Sequence, residues 1–138
     1  MPVNVLDVLL AGALAGLSWT CSMVHYPLLS DLHQDGAGVI HFQRHITRIF
    51  PLVGILMAAE LMVAAWRCWA DGSMATTISL GLVLLIWAVT GRFAAPVHQL
   101  LVEDRATRQD VKGLLRAHHF RTGCWTLRCG LVVLGSSV

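Results

Sequence analysis

Four apolar stretches, 3–23, 46–69, 76–97 and 114–134, take up most of this 138-residue chain. Each approaches the ~20 residues that a helix needs to cross the hydrocarbon core of a bilayer. A segment in lipid must satisfy its backbone polar groups internally, so spans of this kind are helices. The composition agrees, with 56% hydrophobic residues, 13% charged and a mean hydropathy of +0.66, outside the range of soluble globular domains. The chain is therefore expected to be all-α, an integral membrane antiparallel four-helix bundle. It forms one domain over 1–138, with helices over about 3–25, 40–69, 76–100 and 113–134. The first stretch has no basic leader, carries Asp7 and lacks a small-x-small pattern before Cys21, so it is expected to stay as a span.

Antiparallel order brings the end of helix one, the start of helix two, the end of helix three and the start of helix four to one face. Arg44, Arg48, Arg92, Arg105, Arg108, Lys112, Arg116 and Arg121 lie on or near that face, and only Arg67 and Arg128 lie nearer the other. By the positive-inside rule this face is cytoplasmic and both termini lie outside, across an inner (cytoplasmic) membrane. No basic run with interleaved aromatics occurs, which argues against a nucleic-acid partner.

The same face collects His25, His41, His45, His98, His118 and His119, with His33 in the loop between the first two helices. His41 and His45 are spaced i, i+4 on one helix face, the minimum geometry for a shared metal ion, and imidazole suits copper, zinc and iron. Ligands drawn from several helices are how bundle metal sites are built. His25, His41, His45, His98 and His119 form the candidate metal-ligand pool. Copper, iron, zinc and a bis-histidine haem all remain open, as does a purely polar histidine network. Carboxylate-bridged di-iron chemistry needs Glu-x-x-His pairs, and the chain has none. Arg92 and Arg121 are the candidate cofactor-binding cations; Arg92 either meets an anionic group or snorkels to the headgroups. Cys21 stands one turn before His25. The four cysteines contain no CxxC pair, and a disulfide framework is not expected.

Pro51 and Pro96 free the carbonyls of Thr47 and Arg92, so kinks are expected close to the histidine face. Glu60 lies 15 residues beyond His45, about 22 Å along the axis. It cannot share a shell with that histidine. A carboxylate at such depth needs a partner, and Arg128 is the expected one. Gly12 and Gly16 form a GxxxG pattern, read first as packing inside the bundle and alternatively as a seam between two copies. Trp66 and Trp69 fit an interfacial belt, whereas Trp87 and Trp125 are either packing residues or walls of a pocket for an aromatic molecule.

Taken together, His25-Tyr26-Pro27, His41-x-x-x-His45, Pro51-Leu52 with Glu60, Pro96-x-His98 and Arg121-Thr122-x-x-Trp125-x-x-Arg128 resemble a group of uncharacterised bacterial four-helix small membrane proteins. At the level of size and topology the chain is also similar to the anthrone-oxygenase-like membrane proteins, which act on reduced polycyclic aromatics. That resemblance implies oxidative chemistry by analogy only.

Two classes of function follow as expectations. One is a metal-dependent membrane oxidoreductase acting on a small lipophilic substrate. The other is a non-catalytic module that binds or transports a metal ion, haem or protons, or a small structural subunit of a membrane complex. The expected partners are the lipid bilayer, the lipophilic substrate or metal ion, and a second copy through Gly12 and Gly16.

Overall fold

A computed structural model describes residues 3–27 and 38–135; His33 and the first loop's acidic residues lie outside them, as do the side chains of His41 and Phe42. The all-α class holds, with four long helices and no strand among the described residues. Helix α1 covers Val3–Thr20 and continues through a π-turn at Cys21–His25. Helix α2 runs over Gly38–Asp71, unbroken through Pro51. Helix α3 covers Met74–Val89, passes through a second π-turn at Thr90–Ala94 and resumes over Ala95–Val102. Helix α4 covers Arg108–Gly135.

The ends are set by local chemistry. Gly72 takes a positive φ of 63° and returns its N–H to the Cys68 carbonyl, closing α2. A left-handed residue of this kind is the usual glycine stop. Ser73 then caps α3 through the Thr76 N–H. At the other connection Thr107 and Asp110 cap α4 reciprocally. The Asp110 carboxylate accepts from the Thr107 N–H and hydroxyl, and the Asp110 N–H donates to the Thr107 oxygen. This is a capping box with Asp in place of Glu, and its hydrogen bonds hold the Asp110 carboxyl below its ordinary range.

Three helical segments, Val3–His25, Gln43–Asp71 and Met74–Val102, are long and apolar enough to cross a membrane; the fourth expected span is not. The reason lies in which residues of α4 face inward. His118, Arg121, Thr122 and Arg128 are all buried against the other helices, chiefly α1 and α3. Part of the polarity that lowers the hydropathy of α4 therefore lies inside the bundle.

The expected Glu60–Arg128 pair is present, at 3.1 Å, but it is half of a larger network. Arg128 also binds Asp7, which accepts a second guanidinium from Arg67 at 3.0 Å. Glu60 accepts from the Trp125 indole N–H at 3.1 Å. Glu60 and Arg128 are both 0% exposed and Asp7 is 2% exposed. Two carboxylates and two guanidiniums thus balance within one buried layer that ties α1, α2 and α4 together.

The GxxxG pattern does not pack inside the bundle. A Cβ built at Gly12 or Gly16 would meet nothing within 4 Å. The close approach falls one residue earlier, at Ala11 and Ala15, which are buried, because four-residue spacing fits either neighbouring stripe of the helix.

Candidate functional site

Toward the histidine end, α1 and α4 are joined by a chain of hydroxyls. Ser18 donates to the Thr122 hydroxyl over 2.6 Å, and Thr122 donates to the His118 carbonyl over 3.0 Å. The Ser18 carbonyl accepts from the Ser22 hydroxyl and lies 3.1 Å from His118 Nε2. A carbonyl only accepts, so the His118 proton sits on Nε2. Its Nδ1 then accepts from Arg121 Nη2 at 3.3 Å, since a guanidinium only donates. Both ring nitrogens of His118 are therefore engaged.

Arg121 is 6% exposed. Its Nη1 donates to the Thr90 hydroxyl at 2.9 Å, and that hydroxyl donates to the Ile86 carbonyl. The Tyr26 ring lies 4.5 Å from the His118 ring, and its hydroxyl lies beside the Arg121 guanidinium. Arg121 Nε has no partner, and no carboxylate among the described residues pairs with this cation. Seven residues away on the same helix, Arg128 has two.

These groups stand at the wall of a cavity of about 430 Å³. Most of its lining is apolar: Leu14, Leu17, Ile49, Phe50, Val53 and Met57 from α1 and α2, with Trp87 and Trp125 from α3 and α4. The polar lining includes Tyr26, His45, Thr90, His98, His118 and Arg121. Both π-turns border it, at Cys21 and at Thr90. A π-turn inserts one extra residue, and at 3.6 residues per turn this rotates everything downstream by about 100°. The insertions precede Pro27 and Pro96, which donate no backbone hydrogen bond. In this way the fold brings Tyr26 and His98 to the cavity wall.

The structure separates the candidate histidines. His45 and His98 are half-buried and line the cavity, while His25 is exposed with its ring 4.5 Å from that of His45. His119 is exposed, 6.1 Å from the His118 ring, and it is His118 that faces inward. Arg92 is exposed, in keeping with snorkelling, whereas Arg121 is enclosed. The four cysteines are free, and Cys21 lines the cavity. Among the described residues no three His, Cys, Asp or Glu side chains come together as a metal-binding group. Sequence reasoning gave no site role to Ser18, Tyr26 or Thr90. The prolines one and six residues after Tyr26 and Thr90 were the available signal for those two, and nothing marked Ser18.

No family model matches this chain, and comparison with curated proteins and solved structures finds no match either.

Proposed function

We propose that this chain is an integral membrane four-helix bundle that takes a lipophilic small molecule into the cavity beside His45, His98, His118 and Arg121. The cavity carries the reading. Its volume of about 430 Å³ falls in the range of small-molecule sites, and an apolar wall with a few convergent polar groups is their usual make-up. The membrane setting is supported by an inverted distribution of side chains. Leu9, Phe50, Ile55, Met62, Trp69 and Leu134 are exposed, whereas Asp7, Glu60, Arg121 and Arg128 are buried. Large apolar surface facing outward suits lipid. The excess of arginine at the histidine end favours an inner membrane with that end cytoplasmic and both termini outside.

Gly54 tests the cavity directly. It lines the space, and a Cβ there meets nothing within 4 Å. Gly54→Phe should fill the site while removing a helix glycine that costs about 0.5–1 kcal/mol relative to Ala. With the uncharged probe N-phenyl-1-naphthylamine, the wild-type protein should show saturable energy transfer from Trp87 and Trp125. The variant should lose at least about tenfold in affinity, equivalent to ~1.4 kcal/mol, at unchanged melting temperature. Equal binding by both proteins would place the probe elsewhere and end this reading.

A second reading, a metal-dependent oxidoreductase, is favoured by the approach of the His25 and His45 rings, with His98 nearby on the cavity wall. His41, whose side chain lies outside the described residues, is spaced i, i+4 from His45 in the sequence. The topological resemblance to anthrone-oxygenase-like proteins points the same way. On this reading the purified protein retains close to one equivalent of copper, iron or haem with a visible spectrum, and a His41→Ala/His45→Ala variant loses it. Metal content unchanged in the double variant would rule out this ligand set.

A further inference from the structure

We infer that the molecule taken up by the cavity is an amphiphilic anion, a carboxylate with a single apolar body, and that Arg121 holds its charge. This rests on the cavity being a ligand site and names the class of ligand. The two buried guanidiniums of α4 are the observation that carries it. Arg128 is balanced by Asp7 and Glu60, while Arg121, 94% buried by the same measure of exposure, meets no carboxylate among the described residues and has neutral partners in Thr90, His118 and Tyr26. A buried cation without a counter-charge is costly. It is retained where something brings the charge to it.

The geometry suits a carboxylate. A guanidinium has five N–H donors in a planar fork, and its strongest contacts are bidentate with a planar anion. One donor of Arg121 goes to Thr90 and one to His118, which leaves N–H groups of the fork over, and the side chain lines the cavity. The Tyr26 hydroxyl stands beside the guanidinium and offers a further O–H. The His118 tautomer completes the arrangement: with its proton on Nε2, the nitrogen facing Arg121 accepts and so aligns the guanidinium. The rest of the wall is mostly apolar, with Leu17, Ile49, Val53, Met57 and Trp87 beside the imidazoles of His45 and His98, which matches an alkyl chain or a fused aromatic body.

The test uses the full chain in zwitterionic lipid nanodiscs at pH 8, where a carboxylic acid is ionised. Dodecanoic acid and dodecan-1-ol, equal in chain length, each compete with bound N-phenyl-1-naphthylamine. The acid should compete at least about tenfold more tightly than the alcohol, the increment expected of a charge-assisted hydrogen bond. In Arg121→Met the preference should vanish while the probe and the alcohol still bind, which shows that the bundle and cavity are intact. Arg121→Lys, which keeps the charge and loses the fork, should give an intermediate preference. Equal competition by acid and alcohol in the wild type overturns the inference and leaves the lipophilic-ligand reading standing. A preference that survives Arg121→Met overturns it as well, because another group would then hold the charge. Absence of saturable probe binding in the wild type instead removes the reading beneath it.

Discussion

Replacing Arg128 by Met should cost about 3–5 kcal/mol of stability, the loss expected when one partner is removed from a buried ion pair. The cost arises from what is left behind. Asp7 keeps Arg67, but Glu60 loses its only cation among the described residues and stays 0% exposed with a single hydrogen bond, from Trp125. A second substitution should recover most of the loss. In Arg128→Met/Glu60→Gln the buried charge is gone, the glutamine oxygen still accepts the indole N–H, and Asp7 remains paired with Arg67. Unfolding of the single and double variants in one detergent, analysed as a cycle, measures the coupling. Near-additive losses would mean that Arg128 contributes through packing and that the pair has little energy of its own.

Arg121→Met should behave in the opposite sense, at no cost or with a gain on the order of 1–4 kcal/mol, as when buried ionic groups give way to apolar residues of similar volume. The substitution removes a cation that has no carboxylate partner among the described residues and gives up one hydrogen bond to His118 and one to Thr90. Hydrogen bonds from a charged group are worth about 1.5–3 kcal/mol each, set against the several kcal/mol of desolvation that a buried charge carries, so the missing counter-charge decides the sign. Thr90 still donates to Ile86 in the variant. Two arginines, seven residues and about 10 Å apart on one helix, should therefore give opposite results in the same unfolding assay. A residue that lowers stability where it stands is one whose retention calls for a functional reason. If Arg121→Met destabilised the bundle as much as Arg128→Met does, Arg121 would be a structural residue and that reason would disappear.

Helix content was legible in the chain because hydropathy over about 20 residues reports directly on how backbone and side chains must be arranged. Depth was legible too. Counting residues along the helix placed Glu60 beyond reach of His45 and pointed to Arg128, its partner in the structure. The other two members of that layer were not found. Asp7 was read for what it says about an N-terminal leader, and Arg67 as a charge at the far face; their pairing depends on how α1 and α2 pack, which no linear spacing encodes. The same limit applied at the cavity. His118 and His119 are adjacent, so their directions differ by about 100°, and α4 carries polar residues on too many sides for its pattern to show which one turns inward. Tyr26 and His98 reach the wall through π-turns. Pro27 and Pro96 signal a disturbed ladder, but the residue at which the extra step is inserted is set by packing. Gly12 and Gly16 were read as the packed stripe when the packed stripe was Ala11 and Ala15.

The charge-balanced layer also bears on how such a chain is assembled. Helix α4 is not one of the three helices long and apolar enough to cross a membrane, and Arg128 at its interior is neutralised by residues that are synthesised first, Asp7 on α1 and Glu60 on α2. On the membrane reading proposed above, the last helix would be retained best once the first two are side by side and present their carboxylates together. A bundle in which α1 and α2 had failed to meet would leave Arg128 uncompensated, so that the charge of the last helix reports on the assembly of the first two.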